Sequence, residues 1–168
     1  MSGTKPDTRW GPAFKRVGSS LLALALGGAF VYAGFLKYTH PFEFAESIQA
    51  YRLVPESLIG AAAVILPRWE LFAGLLLIAG QVLHLLMPLF RARNRKGLPL
   101  AGLLSRCSLL ILMLLTGVFI VTLLVTMARG LKIDCGCGLF FQQEVGIIPV
   151  LQDTLILAAA AWVYRQEM

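Results

Sequence analysis

Residues 107–128 read CSLLILMLLTGVFIVTLLVTMA and contain no acidic or basic side chain. About 20 consecutive apolar residues are enough for a helix to span the hydrocarbon core of a bilayer. Three further apolar stretches occur in the chain, at residues 17–36, 57–87 and 147–164. The whole chain is 14% charged, whereas soluble domains average about 25% charged residues. The sequence therefore predicts an all-α integral membrane protein, a bundle of four transmembrane helices.

The chain is expected to be one domain over residues 1–168, with transmembrane helices at about 17–37, 57–87, 106–128 and 147–165. The first stretch is long enough to span and lacks a small-residue cleavage pattern, so we expect a retained helix. The second is too long for one perpendicular span. It is either a tilted helix kinked at Pro67, or an interfacial segment followed by a span from Pro67. We favour the continuous helix, because residues 57–66 are apolar on all sides.

Residues 40–52, between the first two stretches, predict a short amphipathic helix that lies in the membrane interface. Its apolar side is expected to consist of Phe42, Phe44, Ala45, Ile48 and Tyr51. Pro41 suits the first turn of a helix, and Pro55 stops what precedes it.

Lysine and arginine are distributed unevenly along the chain. Of the 15 basic residues, four precede the first stretch, five lie between the second and third, and one follows the fourth. These ten would share one side of the membrane, against at most five on the other. The excess of basic residues marks the cytoplasmic side. We therefore expect both termini in the cytoplasm and the loop after residue 128 in the periplasm of a bacterial inner membrane. The same clustering explains the net charge of +6 without nucleic-acid binding.

Cys135 and Cys137 lie in that loop, separated only by Gly136. A disulfide across one residue closes a strained ring, and strained, exposed disulfides are readily reduced. The periplasm is a compartment in which disulfides form. We therefore predict that the two cysteines are a thiol–disulfide redox pair. A structural disulfide is the weaker alternative, because so small a loop removes little entropy from the unfolded chain.

A metal site is the third interpretation of the two thiols, which would need one or two further ligands. The histidines are His40 and His84, and only His40 is expected on the same side of the membrane. We therefore expect no metal. Cys107 begins the third helix, a membrane thickness away, and is expected to be a buried apolar residue.

Charged residues at membrane depth are the other candidates for function. Glu70 has Arg68 and Lys37 as candidate partners. If the second helix is continuous, Glu70 is about 20 Å deep, and we expect Arg68 or a bound carrier to compensate its charge. A structural ion pair and a proton-handling role are both open. Asp153 follows Pro149 near the start of the last helix, where a carboxylate favours the helix dipole.

Several short segments occur in an order that is typical of one family. They are Gly34-Phe35-Leu36-Lys37, Phe44-Ala45, Tyr51-Arg52-Leu53-Val54-Pro55, Leu66-Pro67 with Glu70-Leu71 and Gly74, and Cys135-Gly136-Cys137. In these segments the chain resembles the MauE branch of the DoxX-like membrane proteins. It departs from them after the cysteines, where Gly138-Leu139-Phe140 replaces Phe-Gly, and before Asp153, where Gln152 replaces Arg.

The resemblance implies a four-helix membrane protein associated with redox chemistry. MauE proteins are linked to maturation of the disulfide-rich small subunit of methylamine dehydrogenase, and other DoxX relatives to sulfur-compound oxidation with quinone. The expected partners are therefore membrane lipid, a thioredoxin-like, rhodanese-like or disulfide-rich client protein, and quinone as electron carrier.

Residues and resemblance together predict a membrane thiol–disulfide redox protein, in which Cys135 and Cys137 exchange electrons with a partner at the periplasmic face. Glu70, Lys37, Arg68 and Asp153 are the expected supporting residues. The direction of electron flow is open, as is whether the chain is an oxidoreductase in its own right. The alternative is a non-catalytic membrane subunit that scaffolds a redox or sulfur-oxidising complex.

Overall fold

The structure, a computed structural model, describes residues 12–90, 98–131, 133 and 146–167. Cys135 and Cys137 lie outside the described residues. The described part forms five α-helices: α1 (Pro12–Thr39), α2 (Pro41–Tyr51), α3 (Glu56–Phe90), α4 (Leu98–Ala128) and α5 (Ile147–Glu167). Four of them contain segments long and apolar enough to cross a membrane: Val17–Thr39, Glu56–Leu86, Gly102–Ala128 and Ile147–Glu167. The predicted all-α bundle of four membrane helices is confirmed.

The four long helices form a closed ring around an apolar core. α1 packs most extensively against α3, α3 against α4 and α4 against α5, while α5 returns to α1. The centre of the bundle is a cluster of buried apolar side chains: Ala23, Leu26, Phe30, Ala73, Leu77, Leu109, Leu112, Ala160 and Val163. Leu114 and Leu155 are each 70% exposed on the outer surface. Lipid tails are as apolar as leucine, so these outer side chains face the bilayer without cost.

Glycines set the distance between the antiparallel helices α1 and α3. A Cβ atom on Gly74 would lie 2.8 Å from the carbonyl oxygen of Gly27 and 3.1 Å from the amide nitrogen of Val31. A Cβ atom on Gly34 would lie 3.0 Å from the carbonyl oxygen of Pro67. Small residues let membrane helices approach until their backbones touch. The two helices are therefore fixed in register by contacts that tolerate no side chain.

α2 covers the first turns of α3 at the end of the bundle where α1 ends and α3 begins. Phe44 and Ile48 are buried against Ala63 of α3. Arg52 ends α2 in the left-handed conformation, with φ of 52°, and its carbonyl oxygen accepts a hydrogen bond of 3.2 Å from Arg129 Nη1 at the end of α4. Phe42, expected on the apolar side, is instead 85% exposed. Helical spacing explains this, because Phe44 and Ile48 share one face and Phe42 lies on another.

Two boundaries bear on the sequence predictions. α3 runs unbroken through Pro67 from Glu56 to Phe90, which is the continuous helix that we favoured. α4 begins at Leu98 rather than at residue 106, since a proline in the first turn, here Pro99, is compatible with helix initiation. Cys107 therefore lies within α4, and it is exposed rather than buried as expected.

Replacing Gly74 by alanine should destabilise the bundle, because the new Cβ atom meets the backbone of α1. Overpacking of this kind costs about 1–3 kcal/mol. Gly60→Ala, also in α3, is the matched control, since nothing lies within 4 Å of its Cβ position. Alanine should there add about 0.5–1 kcal/mol of helix stability. Thermal unfolding in detergent measures both variants, and equal stability of the two would contradict the close packing of α1 on α3.

Candidate functional site

A buried ion pair joins α1 to α3. Lys37 Nζ donates hydrogen bonds of 2.7 and 2.9 Å to the two carboxylate oxygens of Glu70. The two residues are 7% and 1% exposed. The same ammonium lies 4.6 Å from the centroid of the Phe119 ring and 5.3 Å from that of Phe44. One carboxylate and two aromatic faces therefore replace the water that a lysine would otherwise hold.

The pairing with Lys37 corrects the expectation that Arg68 or a bound carrier compensates Glu70. That expectation assumed that α1 ends at the level at which α3 begins. In the structure α1 ends beside the middle of α3, and α2 covers the part of α3 that extends further. Glu70 lies about 21 Å along α3 from Glu56, at 1.5 Å per residue, yet Lys37 near the end of α1 reaches it.

Arg68 lies apart from this pair. Its Nη1 atom donates a hydrogen bond of 2.8 Å to the carbonyl oxygen of Val64, one turn earlier in α3. Its guanidinium group is 5.5 Å from the centroid of the Tyr38 ring. Residues two apart on a helix point to different faces, so Arg68 is exposed on the outer surface while Glu70 points into the bundle.

Asp153 lines a small cavity together with the ion pair. The cavity has a volume of about 40 Å³, and its lining comprises Lys37, Glu70, Thr116, Phe119, Gln152 and Asp153, with Ala29, Phe30, Ala33 and Ile156 on its apolar side. Asp153 lies in the second turn of α5, which begins at Ile147. The helix dipole acts mainly within the first turn, so it does not account for this carboxylate.

The size of the cavity limits what it can hold. One water molecule needs roughly 10–15 Å³ of such volume, and an engineered cavity that binds benzene measures about 150 Å³. At about 40 Å³, the cavity is large enough for water and smaller than that benzene site.

Tyr51 connects the cavity to the segment that carries the cysteines. It is buried in a cluster with Leu123, and Ile133 and Val150 pack against that cluster. Burial, and secondarily the negative charge of Asp153, raise the pKa of Tyr51 to about 12. The phenol is therefore a neutral hydroxyl at physiological pH. From the sequence, Tyr51 was expected only on the apolar side of the interfacial helix, because hydropathy does not indicate which helices pack against it.

The described chain reaches the cysteine segment at this end of the bundle. Ile133, two residues before Cys135 in the sequence, packs in the same cluster as Val150. Val150 is one helical turn before Asp153. The end of the bundle with the buried charges is therefore also the end at which the chain continues towards Cys135.

A second polar cluster, missed by the sequence reasoning, joins three helices at the opposite end. Gln81 Nε2 donates hydrogen bonds of 2.9 Å to Ser105 Oγ and 2.5 Å to Glu167 Oε1, and Ser105 Oγ donates one of 2.6 Å to Glu167 Oε1. Arg106 Nη2 donates to the backbone carbonyl of Glu167. These bonds tie α3, α4 and α5 together.

The described residues contain no group of three or more His, Cys, Asp or Glu side chains that could hold a metal ion. His40, the histidine considered for such a site, instead contacts the end of α1: its Nδ1 atom lies 3.2 Å from the carbonyl oxygen of Leu36.

Removing one member of the ion pair should destabilise the protein far more than removing both. Lys37→Met leaves the buried Glu70 carboxylate without its cation, which typically costs about 3–5 kcal/mol, whereas replacing both partners by apolar residues is often nearly neutral. Glu70→Gln should cost less than Lys37→Met, because the Asp153 carboxylate lines the same cavity as Lys37. We therefore expect Lys37→Met/Glu70→Leu to unfold at a higher temperature than either single variant in detergent. Arg68→Ala, on the outer face of α3, is the control. A double variant no more stable than the single variants would contradict a structural ion pair.

Tyr51 should give a late phase in an ultraviolet pH titration. We expect a separate phase near pH 12, absent in Tyr51→Phe and shifted to lower pH in Asp153→Asn, which removes the nearby negative charge. Because the folded-state pKa exceeds the ordinary tyrosine pKa of 10.0, the stabilisation is fully present below pH 10 and is lost as the pH rises towards 12. An unchanged Tyr51 phase in Asp153→Asn would place the carboxylate too far away to act on the phenol.

The family model described as "Methylamine utilisation protein MauE" matches residues 15–165. No curated protein and no solved structure matches the chain. The matched region begins in α1, ends in α5 and includes Lys37, Glu70, Asp153 and both loop cysteines. The resemblance to MauE proteins is thereby confirmed over nearly the whole sequence. This multi-pass membrane protein belongs to the MauE family.

Proposed function

We propose that the protein is a periplasm-facing membrane thiol–disulfide redox protein that acts in the maturation of a disulfide-rich or sulfur-handling client. Membership of the MauE family supports a membrane protein involved in methylamine dehydrogenase maturation. The exchange itself is assigned to Cys135 and Cys137, which are separated by a single glycine. This spacing is the observation that carries the proposal, because a strained disulfide is readily exchanged.

The redox change involves the two cysteines and the thiols of a partner protein. A partner thiolate attacks one sulfur of the Cys135–Cys137 disulfide, and the other cysteine leaves as a thiolate. The partner's second thiolate then resolves the mixed disulfide, so the partner is oxidised by two electrons and the cysteine pair is reduced by two. A thioredoxin-like, rhodanese-like or disulfide-rich protein is the proposed partner. Operation in the reverse direction would reduce the partner by the same steps.

The proposed location is the bacterial inner membrane, with both termini in the cytoplasm. The excess of basic residues on one side of the chain supports this orientation. Quinone is the electron carrier that the likeness to DoxX proteins suggests, and we assign it no step.

The cysteine pair should behave as a reversible two-electron couple. In a glutathione or dithiothreitol series, its potential should lie above roughly −300 mV, below which structural disulfides fall.

Cys137→Ala should trap a mixed disulfide between Cys135 and the partner if Cys135 is the attacking residue, and Cys135→Ala should trap it if the roles are reversed. A membrane-impermeant thiol reagent on intact, reduced cells should label the pair from the periplasm.

Cys107→Ser is the matched control for the cysteine variants, because Cys107 lies within α4 and is predicted to take no part in the exchange. The double variant Cys135→Ser/Cys137→Ser separates the redox protein from a scaffold subunit. If client maturation continues in this variant, the cysteines are structural and the redox proposal is wrong. Labelling only after permeabilisation would contradict the proposed orientation.

A further inference from the structure

Among the residues that the structure describes, the cavity beside the ion pair is lined by one more carboxylate than cations. Lys37 from α1 donates both of its described side-chain hydrogen bonds to Glu70 from α3. Asp153 from α5 lines the same cavity but forms no ion pair with a described side chain. On α2, the neutral phenol of Tyr51 interacts electrostatically with Asp153, and α4 contributes the uncharged Thr116 and Phe119 to the lining. With both carboxylates ionised, the group carries one net negative charge.

An unbalanced charge at membrane depth is costly, and such residues mark functional sites by default. A bound proton on Asp153 removes the imbalance. Neither an ion pair nor the helix dipole accounts for Asp153, since it joins no described ion pair and lies beyond the first turn of α5. Glu70 is the poorer candidate for a mobile proton, because both of its oxygens are held by Lys37.

The cavity also offers a medium through which a proton can move. Its volume of about 40 Å³ exceeds the roughly 10–15 Å³ that one water molecule needs. Buried water requires two to four polar partners, and Thr116, Gln152 and Asp153 line the space. A hydrated cavity next to a carboxylate allows that carboxylate to exchange its proton.

We propose that this cavity is a hydrated proton-binding site, in which the Asp153 carboxylate accepts and returns the proton that thiol–disulfide exchange must move. Binding of the proton depends only on the described cavity; its use in exchange rests on the function proposed above. Val150, one turn before Asp153, packs in the cluster that also contains Ile133, two residues before Cys135. The cavity therefore lies at the end of the bundle from which the chain continues towards Cys135.

The step balances. A partner thiol forms a bond to one sulfur of the cysteine pair as the Cys135–Cys137 bond breaks, and its proton passes through water to the Asp153 carboxylate. Asp153 then returns the proton to the thiolate that has left. One disulfide bond is exchanged for another, and the carboxylate is regenerated.

Infrared difference spectra of the full chain in lipid nanodiscs test proton binding directly. A carbonyl band of a protonated carboxyl should disappear as the pH rises, and it should be absent in Asp153→Asn. Asp153→Glu, which keeps a carboxyl group, should shift the band and covers the case in which the asparagine variant fails to fold. Glu46→Gln removes an exposed carboxylate from α2 and should leave the band unchanged. A band that neither Asp153 variant alters would overturn the proposal.

The rate at which dithiothreitol reduces the Cys135–Cys137 disulfide tests the use of the proton. Without the Asp153 carboxylate, exchange depends on the thiolate fraction of the reagent, which is only a few per cent at neutral pH for an ordinary thiol pKa of about 8.5. Asp153→Asn should therefore be about 10-fold or more slower than wild type at neutral pH. The two rates should converge above about pH 8.5, the ordinary pKa of a thiol, because the attacking thiol is then already ionised. Asp153→Glu should recover much of the rate.

Equal rates at every pH, or a loss in Asp153→Asn that is the same at every pH, would overturn the role in exchange, since a structural defect does not depend on the ionisation of the reagent. A wild-type pair that no dithiol reduces would contradict the proposed function instead, and the infrared spectra would still decide whether Asp153 binds a proton.

Discussion

The contact between α1 and α3 is the constraint on which the rest of the site depends. Gly27, Gly34 and Gly74 bring the two backbones together, and in lipid such close packing replaces the hydrophobic force that drives helix association in water. It also fixes the axial position of Lys37 relative to Glu70. A buried ion pair is favourable only when its geometry is good enough to offset desolvation of both charges. The two short hydrogen bonds between Lys37 and Glu70 depend on that register.

The environment gives the two carboxylates of the cavity different roles. Glu70 is held by the ammonium of Lys37, whereas Asp153 faces water-sized space beside Thr116 and Gln152. Pairs of titratable groups whose surroundings differ in this way commonly divide structural and proton-transfer work between them. The structural role and the proton-handling role that were both open for Glu70 are therefore assigned to two different residues. Glu70 makes the ion pair, and Asp153 is the group proposed to move protons.

The sequence predicted the helices well, because a run of about 20 apolar residues has few alternatives to a membrane span. It also identified Lys37, Glu70 and Asp153, since charges within apolar stretches are conspicuous. It could not assign the partner of Glu70, because hydropathy does not determine how far one helix is displaced along another. The Gly74 contact determines that displacement. Tyr51 and Gln81 were missed because neither an interfacial tyrosine nor a single glutamine in a membrane helix is unusual by composition.

The two ends of the bundle differ in a way that limits the function. Gln81, Ser105 and Glu167 form a hydrogen-bonded cluster at one end, and the cavity with Asp153 lies towards the other. Between these levels, Leu77, Leu109 and Leu112 are at most 1% exposed and belong to the apolar core. Ser108, fully buried at the same level, donates a hydrogen bond from its hydroxyl to the carbonyl oxygen of Leu104 in its own helix. The apolar side chains of this layer therefore separate the two polar clusters. This separation suits the proposed local acid–base chemistry of Asp153, whereas proton transport across the membrane would require a continuous polar path.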